Sequence, residues 1–183
     1  LVLALTFTII GTKYTPTIEL TQLQNNSNSQ MMGYFIKCDD KNIVVDGGTK
    51  EDSNNLQQYI KDAGGTVNAW FITHPHIDHA GAFEIISQND EIKIDNIYMS
   101  ITDKDWYISN EPSREVDINE FFKVIEDEKI AEKIIQPQIN DIIKIDNITA
   151  KILGIKNTEI INNAINNSSM VIQIKVNQNI IFG

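Results

Sequence analysis

The sequence has little cysteine and few basic residues, and each shortage excludes a class of protein. Cys38 is the only cysteine among 183 residues, so the chain can build neither an internal disulfide framework nor a cysteine-based zinc site. We interpret Cys38 as a buried thiol without a chemical role. Lys and Arg number 15 against 25 Asp and Glu, which gives a net charge of −10. That balance argues against free-standing nucleic-acid binding, which needs an excess of basic side chains.

A long apolar run is also missing. Residues 1–11 are apolar apart from two threonines, but a helix needs about 20 such residues to span a bilayer. Two interpretations of residues 1–16 stay open: the remnant of an export signal or membrane anchor, or the first strand of the fold. We favour the first, because the polar segment TKYTPT follows. An exported or membrane-tethered protein is therefore expected over a cytoplasmic one.

The remaining residues, 17–183, have the length and composition of one globular domain, with 42% apolar and 22% charged residues. Periodicity predicts strands first, then alternating helices and strands, then strands again, which is typical of an α/β (α+β) fold with layers of helix and sheet. Strands are predicted at 17–24, 32–37, 42–45, 69–73, 94–100, 142–145, 148–153, 170–176 and 180–182. Helices are predicted at 80–87, at 118–125 and from a capping-box-like start at Thr49 and Asp52 up to Gly64. We expect Trp70 in the core and Trp106 with Tyr107 on a loop.

All three histidines lie in one short segment, Thr73-His74-Pro75-His76-Ile77-Asp78-His79, between a predicted strand and a predicted helix. In extended chain, residues i and i+2 project to the same side, so His74 and His76 can share one cation. Asp78 and His79 follow at the bend into the helix, where they can face a second cation. A surface loop of hydrogen-bonded histidines is the alternative, and a purely structural zinc is disfavoured because such sites usually use cysteine.

Neutral imidazole and carboxylate groups are suitable ligands for zinc, and mixed sets also accept iron or manganese. Such cations lower the pKa of bound water from 15.7 to about 7, so no protein nucleophile is needed. Asp46 ends the predicted strand before Gly47 and Gly48. It either caps the next turn or accepts a hydrogen bond from a ligand imidazole and orients it; we favour the second role.

The HxHxDH pattern of His74, His76, Asp78 and His79, with Val45-Asp46-Gly47-Gly48 upstream, resembles the signature of the metallo-β-lactamase superfamily. The resemblance implies a four-layer αβ/βα sandwich with two divalent metal ions, which we expect to be zinc, with manganese or iron as alternatives. It implies that His74 and His76 bind the first ion and that Asp78 and His79 bind the second. It also implies that Asp78 can donate a proton to the leaving group.

A narrower resemblance rests on residues 166–172 and 180–183, which are similar to a segment in the hydrolase domains of bacterial competence-type DNA-uptake channel proteins and their stand-alone relatives. In that branch a Gly-Asp pair and a later histidine complete the metal site. The sequence ends at Gly183 without them, so we expect the second half of the sandwich to be incomplete and the chain as given to be poorly active. No further histidine follows His79, which disfavours antibiotic hydrolysis.

The sequence therefore predicts a metal-dependent hydrolase acting on a phosphodiester or another small anionic ester. Two alternatives stay open. One is a lactone or thioester hydrolase of the same fold, since the residues lining the substrate pocket decide between these classes. The other is a non-catalytic, hydrolase-like binding module.

Overall fold

The protein is described here by a computed structural model, which covers residues 15–177 and 179–182. The expected signal, anchor or first strand falls almost wholly on residues 1–14, which lie outside the described residues. Among the described residues, none of the helices combines the length and the apolar character needed to cross a bilayer.

Strands and helices alternate along the chain as the sequence predicts. Across residues 15–177 and 179–182 the strands are β1 (Ile18–Gln22), β2 (Gly33–Cys38), β3 (Lys41–Asp46), β4 (Thr66–Val67), β5 (Ala69–Ile72), β6 (Lys93–Ile94), β7 (Ile97–Met99), β8 (Ile134–Ile135), β9 (Ile142–Ile145), β10 (Ile148–Gly154), β11 (Val171–Val176) and β12 (Asn179–Phe182). The α-helices of the same residues are α1 (Ser53–Asp62), α2 (Ile77–Ile86), α3 (Lys104–Asn110), α4 (Glu115–Ile125), α5 (Glu128–Ala131) and α6 (Ala164–Asn167).

The larger sheet has the strand order β1-β2-β3-β5-β7-β8. Strands β1, β2 and β3 pair antiparallel, whereas β3, β5, β7 and β8 pair parallel. Parallel strands end at the same edge of a sheet, and in open α/β sheets ligands bind beyond that edge. The loops that follow β3 and β5 therefore meet there, and they carry Asp46 and the histidine segment.

Both faces of the larger sheet are covered, which explains why β3 and β5 are almost uninterrupted apolar runs. On one face, Val44, Trp70 and Ile72 pack against α1, α2 and α4. On the other face, Val45 and Phe71 pack against the smaller sheet. Trp70 is fully buried, as predicted, and burying a large apolar side chain in this way stabilises the fold by about 1.5–3 kcal/mol.

The smaller sheet is antiparallel, with the order β12-β11-β10-β9. Alternate residues of its strands, such as Ile152, Ile172 and Ile174, face the larger sheet and are buried. Residues 15–177 and 179–182 thus form three layers: helices, the larger sheet and the smaller sheet. The predicted α/β architecture is confirmed.

Three sequence-based boundaries need correction. Residues 94–100 form two short strands, β6 and β7, because Asp95 and Asn96 interrupt the ladder. Helix α2 begins at Ile77, three residues earlier than predicted. Trp106 and Tyr107 lie on α3 rather than on a loop, and Tyr107 is fully buried.

A close approach between α2 and the loop after β3 fixes the start of that helix. A Cβ atom at Gly81 would lie 2.7 Å from the Lys50 backbone nitrogen, so only glycine allows this packing. The backbone nitrogen of Ala82 also donates to the Gly48 carbonyl at 3.0 Å. The first turn of α2, which carries two of the candidate ligands, is thereby held against the loop that carries Asp46.

Candidate metal centre

The loop after β5 and the first turn of α2 bring together the candidate ligands, namely His74, His76, Asp78 and His79. His76 is the residue before the helix, and its carbonyl accepts from the backbone nitrogens of His79 and Ala80 at 2.9 and 2.8 Å. The chain therefore changes from extended to helical between His76 and Ile77. That change divides the four side chains into two pairs.

His74 and His76 form what we call the inner pair. The Nε2 atom of His74 lies 3.1 Å from the Nδ1 atom of His76, and the two residues are only 4% and 8% exposed. Burial, followed by the charges of His79 and His76, lowers the pKa of His74 to about 2. Burial also lowers the pKa of His76, despite the opposing charge of Glu111. Both imidazoles are therefore neutral at pH 7, which is the form that binds metal ions.

The hydrogen bonds around His74 identify which of its nitrogens carries the proton. Its Nδ1 atom lies 3.0 Å from Thr73 Oγ1 and 3.1 Å from Ser169 Oγ. Each hydroxyl donates its own hydrogen elsewhere: Thr73 to the Asp46 carboxylate and Ser169 to the Asn166 carbonyl. Both hydroxyls must therefore accept from His74 Nδ1–H. The Nε2 atom of His74 is therefore unprotonated, and it accepts from His76 Nδ1 at 3.1 Å.

Asp78 and His79 form the outer pair. The Nε2 atom of His79 lies 3.8 Å from Asp78 Oδ2, and its Nδ1 atom lies 2.8 Å from Asp46 Oδ2. Burial lowers the pKa of His79, but the hydrogen bond to Asp46 and the charges of Asp46 and Asp78 outweigh it, so the pKa lies above 6.5. The imidazole rings of His74 and His79 are 4.0 Å apart, so the two pairs adjoin.

Asp46 is the buried centre of the hydrogen-bond network behind both pairs. Its side chain is 2% exposed and accepts from the Thr73 backbone nitrogen at 2.8 Å, from the Thr73 hydroxyl and from His79. Its backbone has a φ of 56°, a left-handed conformation that Asp and Asn adopt more readily than other residues with a Cβ. The contact with a candidate ligand imidazole is the one that the sequence analysis favoured for Asp46.

The donor atoms suit a cation, but they lie in two pairs and do not form one group of three or more ligands. Among residues 15–177 and 179–182, no group of three or more His, Cys, Asp or Glu side chains converges as a metal site. Two nitrogens bound to one tetrahedral zinc lie roughly 3.3 Å apart, close to the 3.1 Å between His74 Nε2 and His76 Nδ1. In the same part of the chain, His76 Nε2 is buried without a hydrogen-bond partner. The residues present therefore fit divalent metal ions as two pairs of ligands.

A cavity of about 420 Å³ opens beside the outer pair. One wall is the loop between β1 and β2, which the main chain fastens in place: Met32 N donates to the Asp78 carbonyl at 2.9 Å, and Gly47 N donates to the Met32 carbonyl at 3.2 Å. The lining residues are Asn25, Gln30, Met31, Met32, Asp78 and His79.

Sequence reasoning did not assign Ser169, Glu111 or Arg114 to the site. Ser169 lies in the segment singled out before β11, so its position was visible but its contact with His74 was not. Arg114 is the only arginine in the chain, and its charge acts on His76. Because arginine occurs only once in the sequence, Arg114 could have been singled out from the sequence alone. Glu111 lies 3.6 Å from His76 Nε2, and nothing in the local sequence around it indicates this contact.

The chain is similar to known metallo-hydrolases in sequence. The family model for the metallo-β-lactamase superfamily matches residues 32–118, a stretch that includes Asp46 and the whole histidine segment. A curated relative, the probable metallo-hydrolase YqgX of Bacillus subtilis (strain 168), is 32% identical over 77 residues, which is 42% of this chain and 34% of the relative.

The fold is also that of solved metallo-β-lactamase structures. YhfI from Bacillus subtilis, a metallo-β-lactamase fold protein, matches with a TM-score of 0.56 and 15% identity over 91% of this chain and 61% of its own. MEM-A1, a subclass B3 metallo-β-lactamase from a soil metagenome library, matches with a TM-score of 0.52 and 15% identity over 82% and 53%. At such identities the likeness shows the fold alone.

The chain spans about a third of the length of the curated relative and between half and two-thirds of the two solved structures. The narrower likeness to competence-type hydrolase domains stays a prediction. The matched family and the named relative support a hydrolase in general and imply divalent metal ions. The family match over residues 32–118, the metallo-hydrolase relative and the shared fold support membership of the metallo-β-lactamase superfamily.

Proposed function

We propose that this protein is a hydrolase that uses metal-activated water on a phosphodiester or another small anionic ester. The observation that carries the proposal is the inner pair. His74 directs an unprotonated Nε2 toward His76 Nδ1 at 3.1 Å, while two hydroxyl oxygens accept from its other nitrogen. An imidazole held in this way presents an unprotonated nitrogen in a fixed direction, which is what a metal ligand requires.

His74 and His76 would hold one divalent ion, and Asp78 and His79 would hold a second; we expect zinc, with manganese or iron as alternatives. When bound, such ions supply a nucleophilic water near neutral pH and polarise the oxygen under attack. Asp46 holds the His79 ring through its Nδ1 atom. Asp78 borders the cavity with a side chain that is 31% exposed, and we assign it the transfer of a proton to the leaving group.

Two features favour a small anionic substrate: Arg114 bears on its charge and the cavity on its size. Arg114, the only arginine, is close enough to His76 for its charge to lower the pKa of that imidazole. Its side chain is 47% exposed and lies 3.7 Å from the Asp117 carboxylate, so a substrate anion would compete with Asp117 for it. The cavity of about 420 Å³ beside the outer pair has room for a small ester rather than a polymer.

The test is turnover of a substrate panel by protein loaded with zinc or manganese. The panel contains bis(p-nitrophenyl) phosphate, an aliphatic lactone and a thioester. We expect the phosphodiester to be hydrolysed fastest, His76→Ala to abolish that hydrolysis, and the exposed control Asn54→Ala to leave it unchanged. Preferred hydrolysis of the lactone or thioester would replace the substrate class, and equal turnover by His76→Ala would reject the proposed chemistry.

One observation favours a second candidate, a non-catalytic binding module of the same fold. Among the described residues each pair offers only two side-chain ligands, and no third joins them. A loaded protein that binds bis(p-nitrophenyl) phosphate and does not turn over any member of the panel would support this candidate against the enzyme.

A further inference from the structure

Glu84 is a buried carboxylate on α2 that belongs to neither pair of candidate ligands. Its side chain is 3% exposed, and the other residues of the range 80–86 are all apolar. Burying a carboxylate in such surroundings costs free energy unless a cation pairs with it. The Nζ atom of Lys50 supplies that charge, at 2.9 Å from Glu84 Oε2. The helix that carries the outer pair therefore also carries half of a largely buried ion pair.

Lys50 lies on a different element, the loop after β3, four residues beyond Asp46. Its ammonium group also donates to the Glu120 carboxylate on α4. Burial lowers the pKa of Lys50, but the hydrogen bonds to Glu120 and Glu84 outweigh it, so the pKa is raised and the group is charged at neutral pH. Lys50 thus joins the loop that carries Asp46 to two helices.

Two polar contacts connect that loop to α2. One is the 2.8 Å contact between Asp46 Oδ2 and His79 Nδ1, which holds an imidazole of the outer pair. The other is the ion pair of Lys50 and Glu84, a few residues further along both elements. Between the two contacts, Gly81 packs on the Lys50 backbone, where a Cβ atom would lie 2.7 Å from the nitrogen. A shift of α2 at the ion pair is therefore transmitted to the contact that holds the imidazole.

The ion pair contributes more to geometry than to stability. Both charges lose hydration on burial, and well-packed apolar side chains of similar size often stabilise a fold equally well. Apolar side chains, however, remain in contact when a helix slides by a fraction of a turn. An ammonium and a carboxylate group form their bond only within a narrow range of distance and direction. The ion pair therefore specifies where α2 lies along the loop.

We propose that Lys50 is a positioning residue for the outer metal position: its bond to Glu84 holds α2 against the loop after β3. Asp46 thereby stays within hydrogen-bond distance of the imidazole of His79. The inference rests on the proposed metal-binding role of the outer pair and extends it to two residues outside the HxHxDH motif. It assigns neither of them a contact with metal, substrate or the reacting atoms.

The first test is stepwise zinc titration of Lys50→Met, followed by calorimetry. Methionine keeps much of the aliphatic chain and removes the ammonium group. We expect the affinity of the outer position to fall about tenfold, with a smaller change at the inner position. Lys50→Arg, which keeps the charge, should retain most of the lost affinity. An unchanged outer affinity, or an equal loss at both positions, overturns the proposal.

Two further variants separate positioning from the loss of a charge. Lys61→Met removes the same charge from an ion pair with Glu91 that lies on the surface, and it should leave both affinities unchanged. The double variant Lys50→Met/Glu84→Leu removes both charges, so it leaves no unpaired carboxylate that could destabilise the fold. We expect its outer affinity to stay low. Recovery of the wild-type affinity would mean that Lys50 only neutralises Glu84, and the proposal would be wrong.

Amide hydrogen exchange in chelator-treated protein tests the same contact without any ion. The backbone nitrogen of Ala82 donates to the Gly48 carbonyl, so its exchange rate reports whether α2 stays against the loop. We expect this amide to exchange faster, relative to the amides of β5, in Lys50→Met than in Lys61→Met. Equal ratios in the two variants overturn the proposal. If wild-type protein binds no zinc, the proposed function fails, while the exchange rates still decide whether Lys50 holds the helix.

Discussion

The inner and outer pairs are neighbours on one short segment, yet their surroundings differ. The inner pair is almost completely enclosed, its imidazoles are neutral, and His74 is held by two hydroxyl groups. The outer pair is partly exposed, contains a carboxylate of its own and is held by the buried carboxylate of Asp46. The start of α2 between the pairs produces this difference. We expect the inner position to retain its ion longer, and the outer position to exchange its ion with solvent first.

The strongest test of this division removes one ligand from each pair. We expect His74→Ala to lose the inner ion and Asp78→Ala to lose the outer ion, so that each variant binds one ion where wild-type protein binds two. Metal content after gel filtration, measured by mass spectrometry, checks the stoichiometry. Loss of both ions in His74→Ala would show that the pairs act as one site.

Asp46→Asn tests the outer pair without removing either of its ligands. Asparagine tolerates the positive φ and keeps an oxygen for the Thr73 nitrogen, but it directs an NH2 group at His79 Nδ1. We expect the affinity for the outer ion to fall about 10- to 100-fold, with a smaller change at the inner position. Stepwise zinc titration followed by calorimetry separates the two. An equal loss at both positions would mean that Asp46 supports the whole segment.

The pH dependence of the metal-free protein compares the same pairs without any ion. The pKa of His74 is lowered to about 2 in the fold, so below pH 6.5 the unfolded chain binds a proton that the folded protein does not. The stability from this group is complete above pH 6.5 and falls by about 1.4 kcal/mol per pH unit below it. His79, whose pKa is raised, is protonated in both states between pH 6 and 5 and adds nothing there.

Urea unfolding in the presence of a chelator measures this slope. We expect wild-type protein to lose stability between pH 6 and 5 and His74→Gln to lose less of it, because the lowered pKa of His76 acts in the same direction as that of His74. Identical slopes in the two proteins would contradict a neutral, buried His74.

The smallest expected effect is that of Ser169→Ala. It removes one of two hydroxyl acceptors from His74 Nδ1 and leaves Thr73 in place. Loss of one such hydrogen bond costs about 1 kcal/mol, which corresponds to roughly a fivefold weaker inner ion. Zinc competition measures it, with the exposed Ser113→Ala as control. A loss as large as that of His74→Ala would mean that Ser169 has a more direct part in the site.

The sequence predicted most of the sheet and the residues of the segment, because strands buried on both faces are apolar runs and all three histidines lie together. It did not predict α3, where Trp106, Tyr107 and Ile108 are consecutive and show no helical spacing. Nor did it predict the contact of Glu111 with His76, which depends on how α3 and α6 pack. Local pattern predicted the ligand candidates, and tertiary packing determined what supports them.

The main-chain hydrogen bonds of Met32 to Asp78 and Gly47 restrict the ways in which substrate specificity can change among related sequences. A loop anchored at both its amide and its carbonyl cannot swing to admit a larger molecule without pulling on the first turn of α2. Change in the preferred substrate must then come through exchange of side chains such as Met31, with the backbone kept in place. Libraries varied at the rim of the cavity, rather than insertions into the loop, are the efficient way to redirect this protein.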